Sequence, residues 1–221
     1  TVITLSAKSR TKMYDGVDVR RWYKFGIDVY EVEEINKEID LLKMLSPDLV
    51  VMCGWRQIVD RKLLGIPKIG FIGFHPTLLP IGRGPAPIIN SILHDFRESG
   101  VTMFYISADL DSGDIIAQEK FNIKKTDHAI EVYKKVIKAG KQLIRKYLPR
   151  VLVGTAPRIP QDESKVIYFK KPDLKCNEID LKKDSIEVMY KKIKAFSKPY
   201  LGAYIKKNGK KLIIWRAELI E

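Results

Sequence analysis

The stretch KIGFIGFHPTLLPIGRGPAPI, from Lys68 to Ile88, decides the fold. Its first part, Lys68–His75, is almost continuously apolar and predicts a strand that is buried on both faces, as in a parallel sheet. The strand ends at His75, one of three histidines in the chain. Ligands of open α/β sheets bind at the carboxyl ends of the strands. The stretch therefore predicts a functional histidine at a sheet edge, followed by a stiff loop.

The loop after His75 supplies the predicted substrate contacts. Pro76 holds His75 in an extended backbone conformation. Glycines allow a backbone to pass close to a ligand, and the arginine between two of them carries a charge that suits an anionic group. The residues of this loop that we expect to bind substrate are Thr77, Leu79, Pro80, Gly82, Arg83 and Gly84.

Strands alternate with helices on both sides of this stretch. The polar segment Ser9–Asp18 is expected to be a loop, and the apolar run Asp48–Gly54 predicts a second buried strand. Helical spacing of apolar residues predicts a helix over Glu34–Leu45 and a long one over Thr126–Leu148, with Asp127 as its N-cap. This alternation is typical of a Rossmann-like α/β domain. We assign the domain to residues 1–157.

The sequence changes character after a polar segment, Val153–Lys165, which we interpret as a linker. A short strand, the helix Ser185–Phe196 and a hairpin at Asn208–Gly209 predict a small α+β annex over residues 166–221. The edge of this hairpin is a possible contact for a homodimer.

The composition is that of an ordinary globular protein, with 45% hydrophobic and 30% charged residues among 221. No apolar run approaches the roughly 20 residues of a membrane span, so no membrane partner is expected. Cys53 and Cys176 have no metal-ligand spacing, which favours a reducing, cytoplasmic location. The net charge of +13 favours anionic partners such as nucleic acid or phosphorylated small molecules, although lysine-rich solvated helix faces would give the same charge.

A second polar stretch, ISADLDSGDIIAQ at Ile106–Gln118, carries the carboxylates Asp109, Asp111 and Asp114. A loop rich in Asp and Gly is usually a turn, but a carboxylate beside a neutral histidine can also orient it or accept a proton. The spacing of the three aspartates lacks the ligand count of a calcium loop. We therefore expect no metal here.

Two motifs now carry a specific resemblance. FHPTLLPIGRGPAPI, followed by GVTMFYISADLDSGDIIAQE, resembles the signature of the folate-dependent formyltransferases, a family that includes methionyl-tRNA formyltransferase and the sugar N-formyltransferases. The similarity extends from about Leu49 to Leu148. RIPQDESKVIYFKK and FSKPYLGAYIKKNGKKLIIWRAEL resemble the short C-terminal region of the sugar-modifying branch.

The resemblance implies a Rossmann-like fold and transfer of a formyl group from N10-formyltetrahydrofolate, the co-substrate, to an amine. It implies that His75 stabilises charge on the formyl oxygen and that Asp111 helps to remove the amine proton. The residues that it implies for co-substrate binding are Trp55, Arg56, Asp109, Gly113 and Asp114.

Gly73 departs from the family's Asn-x-His pattern, because glycine has no amide to complete the carbonyl-binding site. Three alternatives follow. Asn90 or Gln57 replaces the missing donor; backbone N–H groups or water suffice in the room that Gly73 leaves; or the protein is catalytically weak or uses another reaction.

A second departure lies at the start of the chain. The family's domain usually begins with a strand and a helix before the strand expected at Val2–Leu5, and this sequence shows neither. Either the sequence is truncated or the sheet lacks a central strand.

The short annex favours a nucleotide-linked amino sugar as the acceptor. One alternative is tRNA, which the basic charge favours. The other is a noncatalytic role in binding folate or a nucleotide.

Overall fold

The computed structural model describes residues 1–11, 18–173 and 175–220, so most of the loop predicted at Ser9–Asp18 lies outside the described residues. Its strands are β1 (Val2–Leu5), β2 (Val29–Val32), β3 (Leu49–Met52), β4 (Gly70–His75), β5 (Ile81–Arg83), β6 (Glu98–Tyr105), β7 (Ile115–Asn122), β8 (Ile167–Tyr168), β9 (Ala203–Lys207) and β10 (Lys210–Ile214). Its α-helices are α1 (Arg20–Tyr23), α2 (Ile39–Leu45), α3 (Arg61–Leu64), α4 (Pro87–Leu93), α5 (Ala129–Leu152) and α6 (Ile186–Phe196). Two short 3₁₀ helices cover Ile35–Lys37 and Glu163–Lys165.

The central sheet has the strand order β3-β4-β6-β7. β3 and β4 are parallel, whereas β6 is antiparallel to both β4 and β7. Ile72, Val101 and Met103 of this sheet are buried, and they pack in one cluster with Leu143 of α5. The α/β class that the sequence predicts is confirmed, and the parallel pair brings the end of β3 beside His75 at the end of β4.

β1 and β2 form a separate, parallel two-stranded sheet. Within the described residues, the outer edge of β3 pairs with no strand, so the two sheets are not joined by a hydrogen-bonded ladder. They are joined by side-chain packing instead, because Leu5 and Val32 share a cluster with Leu42, Leu63 and Phe71. The two sheets therefore share an apolar core, although no backbone hydrogen bonds between strands join them.

The start of α5 differs from the prediction. The N-cap is His128, whose backbone N–H donates to the Glu131 carboxylate at 3.0 Å. Asp127 instead accepts the backbone N–H of Lys124 at 2.8 Å and pairs with Lys135. Its carboxylate therefore closes the turn before the helix, and the helix begins one residue later than expected.

The annex is close to its prediction. The β9–β10 hairpin turns at Asn208 and Gly209, whose φ values of 48° and 74° match a type I′ turn, which confirms the hairpin. Ala195 and Phe196 of α6 pack in one cluster with Ile88 of α4. β8, however, pairs with β5 in the loop after His75. The division into residues 1–157 and 166–221 stays a prediction. Among the described helices, none combines the length and apolarity that crossing a membrane requires.

Candidate functional site

His75 ends β4 with a side chain that is almost entirely buried. Its Nε2 lies 2.7 Å from the carbonyl oxygen of Gly82. Because a carbonyl oxygen only accepts, Nε2 carries the proton of this hydrogen bond. The other ring nitrogen, Nδ1, lies 3.5 Å from Oδ2 of Asp111. The imidazole is therefore fixed by the loop on one edge and faces a carboxylate on the other.

Asp111 lies in the loop between β6 and β7, with a left-handed backbone φ of 50°. Its Oδ2 also accepts the backbone N–H of Gly84 at 2.8 Å, which ties this loop to the loop after His75. The hydroxyls of Ser107 and Ser112 lie 2.8 Å apart, and both contact the carbonyl oxygen of Asp109. The Asp111 side chain is 19% exposed, so it is partly open to solvent.

The segment predicted as a linker, Val153–Lys165, forms hydrogen bonds to the loop that carries Asp111. The amide nitrogen of Gln161 donates to the carbonyl oxygens of Asp111 and Gly113, both at 2.8 Å. Ile159 forms a β-bridge with Ile115 at the start of β7. Sequence reasoning missed Gln161, since a hydrogen bond across 50 residues leaves no local pattern.

Arg83 has partners that the sequence did not indicate. Its guanidinium is buried and donates to Gln161 Oε1 at 2.9 and 3.1 Å and to Glu163 Oε1 at 2.6 Å. The hydrogen bond from Arg83 also holds the pKa of Glu163 below its ordinary value. Arg83 therefore joins the His75 loop to the segment after α5, and its predicted contact with an anionic substrate stays a prediction.

Gly82 and Gly84 also have a different reason from the predicted one. A Cβ on Gly82 would lie 2.6 Å from a ring carbon of Phe169, and one on Gly84 would lie 2.8 Å from the Phe169 carbonyl oxygen. Both glycines have positive φ values. The chain that approaches them is the protein's own backbone and side chain next to β8, and no ligand is required to explain them.

Thr102 and Gln118 hold the first half of the loop. The Thr102 hydroxyl donates to Thr77 O at 2.7 Å and accepts from Leu79 N at 3.0 Å, and Gln118 donates to Leu79 O at 2.8 Å. The Leu79 side chain packs in a buried cluster with Phe104. Leu79 is thus a core residue by its side chain, and its predicted substrate contact stays a prediction. The substrate contacts predicted for Thr77 and Pro80 stay predictions.

The structure closes the space beside Gly73. A Cβ built there would lie 2.6 Å from Cδ1 of Ile106, which occupies the direction that a side chain at this position would take. On this side of the strand Ile106 fills the room beside Gly73, and the alternative in which backbone N–H groups or water suffice stays a prediction. Ile106 was missed from the sequence because its contact with Gly73 crosses between strands.

Both side chains considered as replacement donors have hydrogen-bond partners of their own. The Asn90 amide donates to the carbonyl oxygens of Pro85 and Ala86 at 3.0 and 3.2 Å. Gln57 accepts from Ile35 N at 2.9 Å and donates to Glu33 O at 2.8 Å, next to β2. Both amides stabilise local structure, and their support of the carbonyl site stays a prediction.

The residues predicted to bind the co-substrate surround the same sheet edge. Trp55 follows β3 and packs against the cluster beneath it, and its buried Nε1 has no hydrogen-bond partner within the described part of the chain. Gly113 is packed so closely that a Cβ there would lie 1.8 Å from Tyr105 O. The backbone carbonyl of Asp114 accepts the N–H of Tyr105 at 2.9 Å. The binding roles of Trp55, Arg56, Asp109, Gly113 and Asp114 stay predictions.

Two cavities lie in the C-terminal part of the molecule, and neither is lined by His75. Over residues 1–11, 18–173 and 175–220, no three or more His, Cys, Asp or Glu side chains are grouped as a metal ion would require. The candidate site is therefore the His75–Asp111 pair at the open sheet edge.

A family model described as formyl transferase matches residues 23–148, which include both loops of this site. The chain belongs to the formyl transferase family. The resemblance that the sequence motifs carry is thereby confirmed. His75 and Asp111 both lie inside the matched segment.

The methionyl-tRNA formyltransferase of Bacillus licheniformis is 36% identical to this formyl transferase chain over 197 residues, which are 87% of this chain and 61% of that relative. The enzyme of the same name from Bacillus subtilis is 34% identical over 201 residues, 89% of this chain and 62% of that relative. This chain thus spans about three fifths of the length of these curated relatives.

Solved structures share the fold. A 4-N formyltransferase from Francisella tularensis superposes with a TM-score of 0.77 at 26% identity, over 99% of this chain and 86% of that chain. HypX from Aquifex aeolicus in complex with tetrahydrofolic acid superposes with a TM-score of 0.75 at 19% identity, over 97% of this chain and 37% of that chain. The second likeness supports the fold alone.

Proposed function

We propose that this protein transfers a formyl group from N10-formyltetrahydrofolate to a primary amine, with His75 and Asp111 as the catalytic residues. The observation that carries the proposal is the 3.5 Å separation of His75 Nδ1 and Asp111 Oδ2 at the sheet edge, within the segment that matches the formyl transferase model. The folate supplies the formyl carbon when it is bound.

The two side chains suit the two charges that this transfer creates. When an amine attacks a formyl carbon, negative charge develops on the formyl oxygen and the nitrogen must lose a proton. The Asp111 carboxylate can accept that proton, directly or through water. The His75 ring lies within reach of the same carboxylate, and in its doubly protonated form Nδ1 donates to the formyl oxygen while Nε2 stays bonded to the Gly82 carbonyl.

Gly73 makes His75 more important here than it would otherwise be. Gly73 has no side-chain donor, and the side chain of Ile106 fills the neighbouring space. Stabilisation of the formyl oxygen then rests on His75 and on backbone N–H groups. One well-placed donor contributes about 3 kcal/mol to a transition state, so this site is expected to be slower than one with an additional side-chain amide.

For the acceptor, we propose a nucleotide-linked amino sugar. The similarity to the 4-N formyltransferase extends over 99% of this chain, annex included. The basic charge of +13 suits the diphosphate of such a substrate.

A specific observation favours tRNA as a second candidate. The curated relatives named methionyl-tRNA formyltransferase are 34–36% identical, above the 26% of the 4-N formyltransferase. The basic charge suits a polyanion equally well.

A competition experiment separates the two. The protein is incubated with N10-formyltetrahydrofolate, a panel of nucleotide-linked amino sugars and methionyl-tRNA, and products are identified by mass spectrometry. A formylated sugar nucleotide supports the first acceptor, and formylated methionyl-tRNA supports the second. If no amine gains a formyl group, formyl transfer is rejected and a noncatalytic role replaces it.

A further inference from the structure

Phe169 follows β8 directly and contacts three consecutive residues of the loop after His75. Its backbone N–H donates to Arg83 O at 2.7 Å. Its ring carbons Cε2 and Cζ lie 2.6 and 3.0 Å from the place where a Cβ of Gly82 would stand. Its carbonyl oxygen lies 2.8 Å from the corresponding place at Gly84. One residue of the predicted annex therefore supports the loop with its ring, its N–H and its carbonyl group.

Two of these loop residues supply the backbone hydrogen bonds that hold the proposed catalytic pair. Gly82 O lies 2.7 Å from Nε2 of His75, and the N–H of Gly84 donates to Oδ2 of Asp111 at 2.8 Å. The same Oδ2 lies 3.5 Å from Nδ1 of His75. Phe169 thus contacts the two residues whose backbone groups fix both catalytic side chains.

The two glycines need support from outside the loop. Their φ values are 80° at Gly82 and 106° at Gly84. Glycine has access to more backbone conformations than any other residue, so the loop alone would leave the Gly82 carbonyl free to turn. The Phe169 side chain is 7% exposed, and its ring packs against that of Phe96 with 5.8 Å between centroids. A ring packed in this way has little room to move, and it therefore restricts Gly82.

The orientation of Gly82 decides which nitrogen of a neutral His75 ring carries the proton, because the partner of one ring nitrogen sets the state of the other. While Gly82 O accepts from Nε2, the proton stays on Nε2, and Nδ1 can take up a second proton for the formyl oxygen. If Gly82 O turned away, the single proton would favour Nδ1, where the Asp111 carboxylate accepts it. The histidine and the carboxylate would then satisfy each other and not the reacting groups.

We propose that Phe169 is a positioning residue for the catalytic pair, because its contacts with Gly82 and Gly84 keep His75 protonated on Nε2. Phe169 acts through the backbone of the loop. Its effect on formyl transfer rests on the proposed function, whereas its effect on the His75 ring does not.

Nitrogen-15 nuclear magnetic resonance of the histidine rings tests the effect on His75. The chain has three histidines, and His75→Gln assigns the signals of this one. Phe169→Leu removes the ring edge beside Gly82 and keeps a buried apolar side chain. At about pH 9, where an ordinary histidine is neutral, we expect Nε2 of His75 to be protonated in the wild-type protein. In Phe169→Leu we expect the proton to be shared between Nε2 and Nδ1.

Phe196→Leu is the matched control. It makes the same change at a phenylalanine of α6 that is 5% exposed and packs with Ile88 and Ala195. The His75 signals of this variant should match those of the wild-type protein. Wild-type signals in Phe169→Leu, or the same change in both variants, would overturn the proposal. Thermal unfolding checks that each variant is folded, and Phe169→Met, which keeps more of the side-chain volume, replaces Phe169→Leu if it is not.

Kinetics separate positioning from a general loss of stability. With the amine that the wild-type protein formylates, Phe169→Leu should lower kcat roughly tenfold with little change in KM, since small displacements of reacting groups are costly. Phe196→Leu should leave both values near those of the wild-type protein. A changed His75 ring with an unchanged kcat contradicts the positioning role. If the wild-type protein formylates no amine, the proposed function fails, and the resonance experiment alone decides whether Phe169 orients His75.

Discussion

The side-chain amide of Gln161 donates a 2.8 Å hydrogen bond to the carbonyl oxygen of Asp111, 50 residues earlier in the chain. The same side chain accepts two hydrogen bonds from the buried guanidinium of Arg83. One residue of the segment after α5 thus connects the loop that carries Asp111 with the loop that follows His75. Gln161 therefore ties together the loops that carry the two side chains proposed as catalytic, His75 and Asp111.

Gln161→Glu tests that connection. The substitution keeps an acceptor for Arg83 but replaces the N–H donors with an oxygen that repels the carbonyls of Asp111 and Gly113. We expect kcat for formyl transfer to fall roughly tenfold to a hundredfold, since small displacements of reacting groups are costly. KM should change little. Asp162→Asn, at an exposed neighbour whose carboxylate binds Ser164 and Lys165, is the matched control. Equal kcat values in the two variants would show that Gln161 does not position Asp111.

The Arg83–Glu163 ion pair gives a prediction on pH. The Arg83 hydrogen bond lowers the pKa of Glu163 from its ordinary 4.5, so the unfolded state binds the proton more readily. The pair's contribution to stability is therefore complete above pH 4.5 and is lost as the pH falls through the lower, folded-state value. Because the Glu163 side chain is 69% exposed, salt should weaken this contribution.

Glu163→Gln removes the titrating group. The difference in free energy of unfolding between wild type and this variant, measured in urea, should be constant near neutral pH and shrink below pH 4.5. The matched control is Glu187→Gln, at a carboxylate in α6 whose pKa is also lowered but whose hydrogen bond goes to Ser185. The effect of Glu187→Gln on the free energy of unfolding should change with pH in the same way whether or not Arg83 is present. The Arg83→Met background tests this. A Glu163→Gln difference that stays constant into acid contradicts the assignment.

Gly73 and Ile106 should be energetically coupled. Gly73→Ala places a methyl group 2.6 Å from Cδ1 of Ile106, the end of a side chain that can move, and should lower the free energy of unfolding by about 1 kcal/mol. Ile106→Val removes that δ-carbon and alone should cost about 1 kcal/mol. The loss in free energy of unfolding of the double variant should be smaller than the sum of the losses of the two single variants. Denaturant unfolding of all four proteins measures the coupling. Strict additivity would mean that the two side chains do not meet.

Thr102→Val tests the hydrogen bonds beneath the loop. Valine has nearly the same shape, but it leaves Leu79 N and Thr77 O without their buried partner. We expect a loss of about 2–3 kcal/mol in the free energy of unfolding, because unsatisfied buried groups cost about 1–3 kcal/mol each. Thr155→Val, at an exposed threonine after α5, should change stability by less than about 0.5 kcal/mol. Similar losses in both would contradict the account of Thr102.

The sequence predicted those features that have a local physical cause. The apolar runs that become β3 and β4 indicated strands buried on both faces, and Asn208–Gly209 indicated the turn that positive φ values require. His75 was placed correctly at the end of its strand because a proline follows it. In each case the signal lies within a few residues of the feature.

The features that sequence analysis missed depend on contacts between distant segments. Arg83 was interpreted as a substrate contact because its partners, Gln161 and Glu163, follow 78 and 80 residues later. Gly82 was interpreted as a position where the backbone passes close to a ligand. In the structure, the ring of Phe169 is the neighbour that leaves no room for a side chain there. Composition and spacing carry no information on which distant side chain occupies a given space.

The most direct test of the central claim is the formyl-transfer rate of His75→Ala. With N10-formyltetrahydrofolate and the amine that the wild-type protein formylates, we expect kcat to fall by roughly a hundredfold or more, since a principal donor to the formyl oxygen is lost. His94→Ala, at the exposed end of α4, should retain wild-type activity. The circular dichroism spectra of both variants should match that of the folded wild-type protein. If His75→Ala transfers formyl groups at the wild-type rate, the assignment of this site is contradicted.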